Sequence, residues 1–137
     1  MAKTVLVIDD DRDIREVAKA SLELVGGFTV IVAESGRRGV AVAQEARPDA
    51  IILDLMMPDF DGHQALAQLK DGPDTAHIPV IMLTAKVQAN KLELVGKGAA
   101  GVLVKPFDPM QLSNQVCEIL GWNAGGKDPG HSGCAKE

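Results

Sequence analysis

Aromatic side chains are scarce in this 137-residue chain, where they make up 3% of the residues, and tyrosine is absent. With so few flat rings, stacking on nucleic-acid bases is not expected. Basic residues are also in deficit, because 14 Lys and Arg face 19 Asp and Glu for a net charge of −5. The basic residues form no run that could neutralise successive phosphates, so we expect no direct DNA binding by this chain.

Cysteine patterns and long apolar segments are lacking as well. Cys117 and Cys134 show neither CxxC nor Cys/His spacing, so we expect reduced thiols rather than a zinc site. The first apolar run is only four residues long before it meets Asp9, which is too short for a signal peptide. We therefore expect a cytoplasmic protein that makes no contact with a membrane.

Five short aliphatic runs recur along the chain, within an ordinary globular balance of 46% hydrophobic and 24% charged residues. Runs of this length that are rich in β-branched residues predict strands buried on both faces. Their bounds are Val5 to Ile8, Val30 to Ala33, Ala50 to Leu53, Val80 to Leu83 and Val102 to Val104.

Amphipathic helical spacing lies between these runs, for example at Ile14, Ala18 and Leu22. Strict alternation of strands and helices predicts an α/β fold with a doubly wound parallel sheet and helices on both faces. At this length the flavodoxin-like arrangement fits, with five strands in the order 2-1-3-4-5. We expect one domain over residues 1–122 and a flexible C-terminal tail over residues 123–137, which holds four glycines and no large apolar side chain.

Acidic residues follow two strands that this order makes neighbours. Asp9 and Asp10 follow the first strand, and Asp54 follows the third. Ligands of open α/β sheets bind at the carboxyl ends of the strands, so three carboxylates would share one cleft there. Their repulsion is relieved if a divalent cation binds, and a site of oxygen ligands alone favours Mg²⁺.

Thr84 and Lys105 follow the fourth and fifth strands at the same edge. A hydroxyl and an ammonium group suit the oxygens of a phosphoryl group, so the set predicts Asp54 as a nucleophile toward phosphorus. Each residue alone has an ordinary interpretation. Asp10 or Asp11 could cap the first helix, Thr84 could cap another, and Lys105 could be a solvated loop residue. The combination favours the functional interpretation.

From about Thr4 to Trp122 the chain resembles the receiver domains of bacterial two-component response regulators, of the single-domain CheY-like type. The resemblance is specific because four motifs occur in order. They are Val-Leu-Val-Ile-Asp-Asp-Asp, Ile-Leu-Asp-Leu-Met-Met-Pro-Asp-Phe-Asp-Gly, Pro-Val-Ile-Met-Leu-Thr-Ala and Gly-Ala-Ala-Gly-Val-Leu-Val-Lys-Pro-Phe.

The resemblance implies that Asp54 accepts a phosphoryl group from a sensor histidine kinase or a histidine phosphotransfer protein. It also implies that Asp10 and Asp54 ligate Mg²⁺ directly, that Asp9 acts through water, and that Met56 offers its backbone carbonyl.

Thr84 and Lys105 would contact the phosphoryl oxygens, and the Lys105-Pro106 bond would be cis, as is usual in the family. Where the family usually has an aromatic residue that turns inward on activation, this chain has Val102. A valine cannot make that rotation, so switching would use other shifts.

We therefore expect a stand-alone switch, monomeric or weakly dimeric, that is not a conventional enzyme but catalyses its own phosphorylation and dephosphorylation. Its output would be an unidentified partner protein, or it would shuttle phosphate to a histidine phosphotransfer protein. A Mg²⁺-dependent small-molecule phosphatase is disfavoured because Met56 stands where such enzymes need a second Asp. A nucleotide or flavin binder is disfavoured because three acids in the first loop would repel its phosphate. A receiver that only binds partners is disfavoured because the acidic set, Thr84 and Lys105 are all present.

Overall fold

Strands and helices alternate along the chain in the computed structural model, which describes residues 3–57, 62–85 and 93–122. The strands are β1 (Thr4–Ile8), β2 (Thr29–Ala33), β3 (Ala50–Asp54), β4 (Val80–Thr84) and β5 (Gly101–Val104). The helices are α1 (Arg12–Leu24), α2 (Gly36–Ala46), α3 (Gly62–Asp71) and α4 (Leu112–Leu120). Residues 93–96 are also helical. The rest of the predicted helix between β4 and β5, and the predicted tail, lie outside the described residues.

The five strands form one parallel sheet in the order β2-β1-β3-β4-β5, which confirms the predicted topology. Ile8 of β1 is in register with Leu53 of β3, and Thr84 of β4 is in register with Val104 of β5. The residues that follow these strands therefore emerge at one edge of the sheet. This edge is where the predicted site residues are placed.

Each face of the sheet carries its own hydrophobic cluster, because alternate residues of a strand point to opposite faces. On one face Leu6 and Ile8 of β1 pack with side chains of α2 and α3. On the other face Val5 and Val7 pack with side chains of α1 and α4. The central strands are thus buried on both sides, as their uninterrupted aliphatic runs predict.

The structure also bears on the cysteine thiols and on membrane-spanning helices. Cys117 of α4 is disulfide-bonded, so the expectation of a reduced thiol is wrong for this residue, and Cys134 lies outside the described residues. None of the helices in the described ranges combines the length and the apolar character that crossing a membrane requires.

Candidate functional site

Three carboxylates gather at the carboxyl edge of the sheet. One oxygen each from Asp9, Asp10 and Asp54 lies within 4.8 Å of the other two. Asp9 directly follows β1 and Asp54 ends the neighbouring β3, so the strand order itself brings them together. Asp9 and Asp54 are 0% and 1% exposed, whereas Asp10 is exposed. The cluster therefore has two buried acids and a third at its rim.

Lys105, which follows β5, supplies the positive charge that faces this cluster. Its Nζ lies 3.0 Å from Oδ1 of Asp54 and 3.3 Å from Oδ2 of Asp9. The lysine side chain is 23% exposed, so it is partly shielded from water. Charges held this close in a shielded cleft interact more strongly than on an open surface. The structure thus brings together the two buried acids and the lysine that the sequence singled out.

The carboxylate oxygens of the cluster are suited to binding a cation. Oδ2 of Asp54 is buried and has no hydrogen-bond partner among the described residues, and buried Oδ2 of Asp9 has only its ion pair with Lys105 at 3.3 Å. Leaving a buried acceptor without a partner costs free energy, and a bound cation would remove that cost. Because the donors are all carboxylate oxygens, the set fits a hard divalent ion such as Mg²⁺ better than a thiolate or imidazole metal. Asp9, Asp10 and Asp54 could hold such an ion.

Burial controls the pKa of the two buried acids, whereas the pKa of Lys105 is controlled by its acidic partners. Desolvation raises the pKa of Asp54 from 3.8 to about 6, and the hydrogen bond from Lys105 only partly offsets it. Desolvation raises the pKa of Asp9 as well. Burial alone would lower the pKa of Lys105, but its hydrogen bond to Asp54 and the charges of Asp9 and Asp54 outweigh burial and raise that pKa. Without a bound cation, the cleft therefore holds its negative charge at a cost in free energy.

The loop after β1 is braced by groups that the sequence did not identify as part of the site. The backbone N–H of Asp11 donates to Oδ1 of Asp9 at 2.8 Å, and Nη1 of Arg15 donates to the backbone oxygen of Asp9 at 2.9 Å. Asp11 itself caps α1, because its side chain accepts from the N–H groups of Asp13 and Ile14. The cap interpretation is therefore confirmed for Asp11. Helical spacing was the only signal that could have pointed to Arg15.

The loop after β3 makes two hydrogen bonds from backbone N–H groups, one of which reaches the side chain of Asp54. The N–H of Met56 donates to Oδ1 of Asp54 at 3.4 Å. The N–H of Gly62 donates to the oxygen of Leu55 at 2.8 Å, and a Cβ added at Gly62 would lie only 2.6 Å from the backbone oxygen of Asp54. Position 62 thus needs a glycine so that α3 can begin against the end of β3. The predicted role of the Met56 carbonyl as a metal ligand stays a prediction.

Thr84 ends β4 beside this cleft and is 3% exposed. The backbone N–H of Lys105 donates to the oxygen of Thr84 at 2.9 Å, so the strand pairing that positions one residue also positions the other. The Lys105-Pro106 bond is cis, as expected. Val102 is half-buried and packs against the cluster on the α2 and α3 face. The role of the Thr84 hydroxyl stays a prediction.

Comparison with known proteins gives one consistent family. The family profile described as "Response regulator receiver domain" matches residues 5–117. The phosphate regulon transcriptional regulatory protein PhoB of Pseudomonas aeruginosa is 36% identical over 88% of this chain and 52% of its own length. The DNA-binding dual master transcriptional regulator RpaA of Synechocystis is 39% identical over 85% of this chain and 48% of its own length. The chain spans about half the length of these curated relatives.

Solved structures extend the similarity to the three-dimensional fold. The chemotaxis protein CheY4 of Vibrio cholerae is 33% identical, with a TM-score of 0.81 over 87% of this chain and 99% of that chain. A putative response regulator from Chloroflexus aurantiacus is 32% identical, with a TM-score of 0.79 over 88% of this chain and 99% of that chain. With its parallel sheet, its acid cluster and its lysine in these places, the chain belongs to the response regulator receiver domain family of two-component systems.

Proposed function

We propose that this chain is a phosphoacceptor switch in which Asp54 takes a phosphoryl group from a phosphohistidine. One oxygen of the Asp54 carboxylate attacks phosphorus, the bond between phosphorus and the histidine nitrogen breaks, and its electron pair stays on that nitrogen, which is protonated. The product is an aspartyl phosphate. The observation that carries the proposal is a buried strand-end carboxylate held 3.0 Å from a lysine amine while its second oxygen has no described hydrogen bond.

The neighbouring groups have complementary tasks in this proposal. Asp10 and Asp54 would hold Mg²⁺ directly, with Asp9 acting through water and Met56 through its carbonyl; the bound ion would offset the charge of the phosphoryl oxygens. Lys105 offers an ammonium group to the same oxygens, and the Thr84 hydroxyl donates a hydrogen bond to the phosphoryl group.

We propose that the folded domain covers residues 1–122, and that residues 123–137 form a tail outside it. The phosphodonor would be a sensor histidine kinase that faces the cytoplasm, or a histidine phosphotransfer protein. The phosphorylated domain would act on a partner protein, as a monomer or weak dimer, without binding DNA itself. In this proposal the chain acts without an attached output domain, in contrast to the curated relatives, which are about twice its length. The mass of the native protein in its own cells tests this point, because an attached output domain like that of PhoB would about double it.

Incubation with Mg²⁺ and acetyl phosphate, followed by intact mass measurement, tests the proposed reaction. The parent chain should gain one phosphoryl group, whereas Asp54→Asn, or the parent in EDTA, should gain none. Asp74→Asn is the matched control, because Asp74 is a surface acid paired with Arg47 at 3.3 Å and should leave uptake at the parent level. A parent that stays unmodified, or an Asp54→Asn variant that is modified equally well, would contradict the proposal.

Met56 provides a test of how long the phosphoryl group persists. Its side chain is 74% exposed and its backbone N–H contacts Asp54, so we infer that its apolar thioether lies near the path of water to the acceptor. In Met56→Asn an amide can hydrogen-bond the attacking water, and one such bond of about 1 kcal/mol shortens the half-life by about fivefold. Loss of the phosphoryl mass after removal of acetyl phosphate gives the half-life. Equal half-lives of variant and parent would show that the thioether does not restrain hydrolysis.

A further inference from the structure

The methionines of this chain differ sharply in their access to solvent. Met56 is 74% exposed, whereas the adjacent Met57 is 7% exposed and Met82 in the middle of β4 is buried. Met110 is 65% exposed, and its N–H donates to Asp108 in the loop before α4. A dissolved oxidant therefore reaches the sulfur of Met56 and Met110 more readily than that of the two buried methionines.

Met56 differs from Met110 in that it contacts the proposed acceptor, Asp54. Its backbone N–H donates to Oδ1 of Asp54 at 3.4 Å, and the same oxygen lies 3.0 Å from Nζ of Lys105. The thioether is thus attached to the short segment that positions the proposed acceptor. A chemical change at this sulfur therefore occurs on the residue whose backbone N–H contacts the proposed acceptor.

We propose that Met56 is an oxidation site that shortens the phosphorylated state, an inference that rests on the proposed function of Asp54. A sulfur lone pair of Met56 attacks one oxygen of hydrogen peroxide, a sulfur–oxygen bond forms, and the oxygen–oxygen bond breaks. The oxygen now bound to sulfur gives up its proton to the departing hydroxide, which leaves as water, so sulfur loses two electrons and the peroxide gains them. The product is methionine sulfoxide, which methionine sulfoxide reductases convert back.

Sulfoxide formation replaces a weak acceptor by a polar S=O group at the same place. The sulfoxide oxygen accepts a hydrogen bond from nearby water more strongly than the thioether sulfur does. One such bond to the attacking water accelerates hydrolysis of the aspartyl phosphate by about fivefold. Oxidative conditions would thereby return the switch to its unphosphorylated form faster.

The test compares half-lives before and after oxidation. The parent, Met56→Leu and Met110→Leu are treated with hydrogen peroxide, desalted, phosphorylated with acetyl phosphate and Mg²⁺, freed of donor and followed by intact mass. Peptide mass spectrometry identifies the oxidised methionines. Leucine keeps an apolar side chain that peroxide does not oxidise, and all three proteins keep both cysteines.

We expect peroxide to shorten the half-life of the phosphorylated state about fivefold in the parent and in Met110→Leu. The half-life of Met56→Leu should be the same before and after peroxide. Methionine sulfoxide reductase should restore the original half-life of the oxidised parent. Protection of Met56 while Met110 is oxidised, an unchanged half-life of the oxidised parent, or equal acceleration of Met56→Leu would each overturn the inference. Failure of the untreated parent to take up phosphate would instead refute the proposed function, and this inference with it.

Discussion

Replacing Lys105 by alanine will slow phosphoryl transfer to the chain by about 100-fold, the usual effect of removing one preorganised group that stabilises developing charge. The lysine Nζ lies 3.0 Å from Asp54 Oδ1 and 3.3 Å from Asp9 Oδ2, and in the proposed reaction it would contact the phosphoryl oxygens. The initial rate of mass gain with acetyl phosphate and saturating Mg²⁺ measures the effect. A rate for Lys105→Ala within twofold of the parent would show that the lysine does not assist the reaction.

The same substitution will weaken the metal-free fold, because it leaves two buried carboxylates without their cation. Removing one partner of a buried ion pair costs about 3 kcal/mol, and the loss should be smaller at pH 5, where Asp54 with a pKa of about 6 is mostly protonated. Urea unfolding in EDTA, followed by the fluorescence of Trp122, gives the free energies. Lys97→Ala is the matched control, since Lys97 pairs with Glu93 on the surface at 3.2 Å and should change stability by at most about 0.5 kcal/mol.

The fold was predictable because each strand is an aliphatic run. A strand that is covered by helices on both faces of the sheet needs apolar side chains on both faces. Observed strands extend beyond the predicted runs at polar residues such as Thr4, Thr29 and Thr84. Backbone pairing continues for as long as the neighbouring strand offers partners, whatever the side chain, so the sheet includes ends that an apolar pattern leaves out. The order of the strands came from the general preferences of α/β topology, and no single residue specifies it.

Some residues of the candidate site could be predicted from the sequence, and others could not. Asp9, Asp54 and Lys105 were predictable because each directly follows a strand run, and parallel strands deliver such residues to one edge. Arg15 and Gly62 were not identified as parts of the site, because the Arg15 side chain contacts the backbone of Asp9 six residues earlier, and Gly62 closely approaches the backbone of Asp54. Contacts of that kind follow from how a helix is seated on the sheet, which the local pattern does not encode.

Asp54→Asn will make the metal-free protein more stable at neutral pH even though it removes the proposed acceptor. Burial raises the pKa of Asp54 to about 6 in the folded chain, against 3.8 for an ordinary carboxyl. Between these values the folded protein keeps a proton that the unfolded chain has lost, so stability falls as the pH rises. The stability that the protonated Asp54 contributes is fully present below about pH 4 and is lost as the pH rises through 6. The difference between the pKa values of 3.8 and about 6 corresponds to about 3 kcal/mol in the free energy of unfolding.

An asparagine at this position carries no charge to desolvate, but it also gives up the ion pair with Lys105, so the gain should stop at about 2 kcal/mol at pH 8. Urea unfolding of variant and parent in EDTA from pH 4 to pH 8 gives their free energies of unfolding. The gap between these two free energies should open between pH 4 and pH 7. Saturating Mg²⁺ should then narrow or reverse the gap, because a ligand that binds the folded acid cluster stabilises the parent more than the variant. A gap that stays constant with pH, or a parent that Mg²⁺ does not stabilise, would show that the buried charge of Asp54 is not what strains the metal-free cleft.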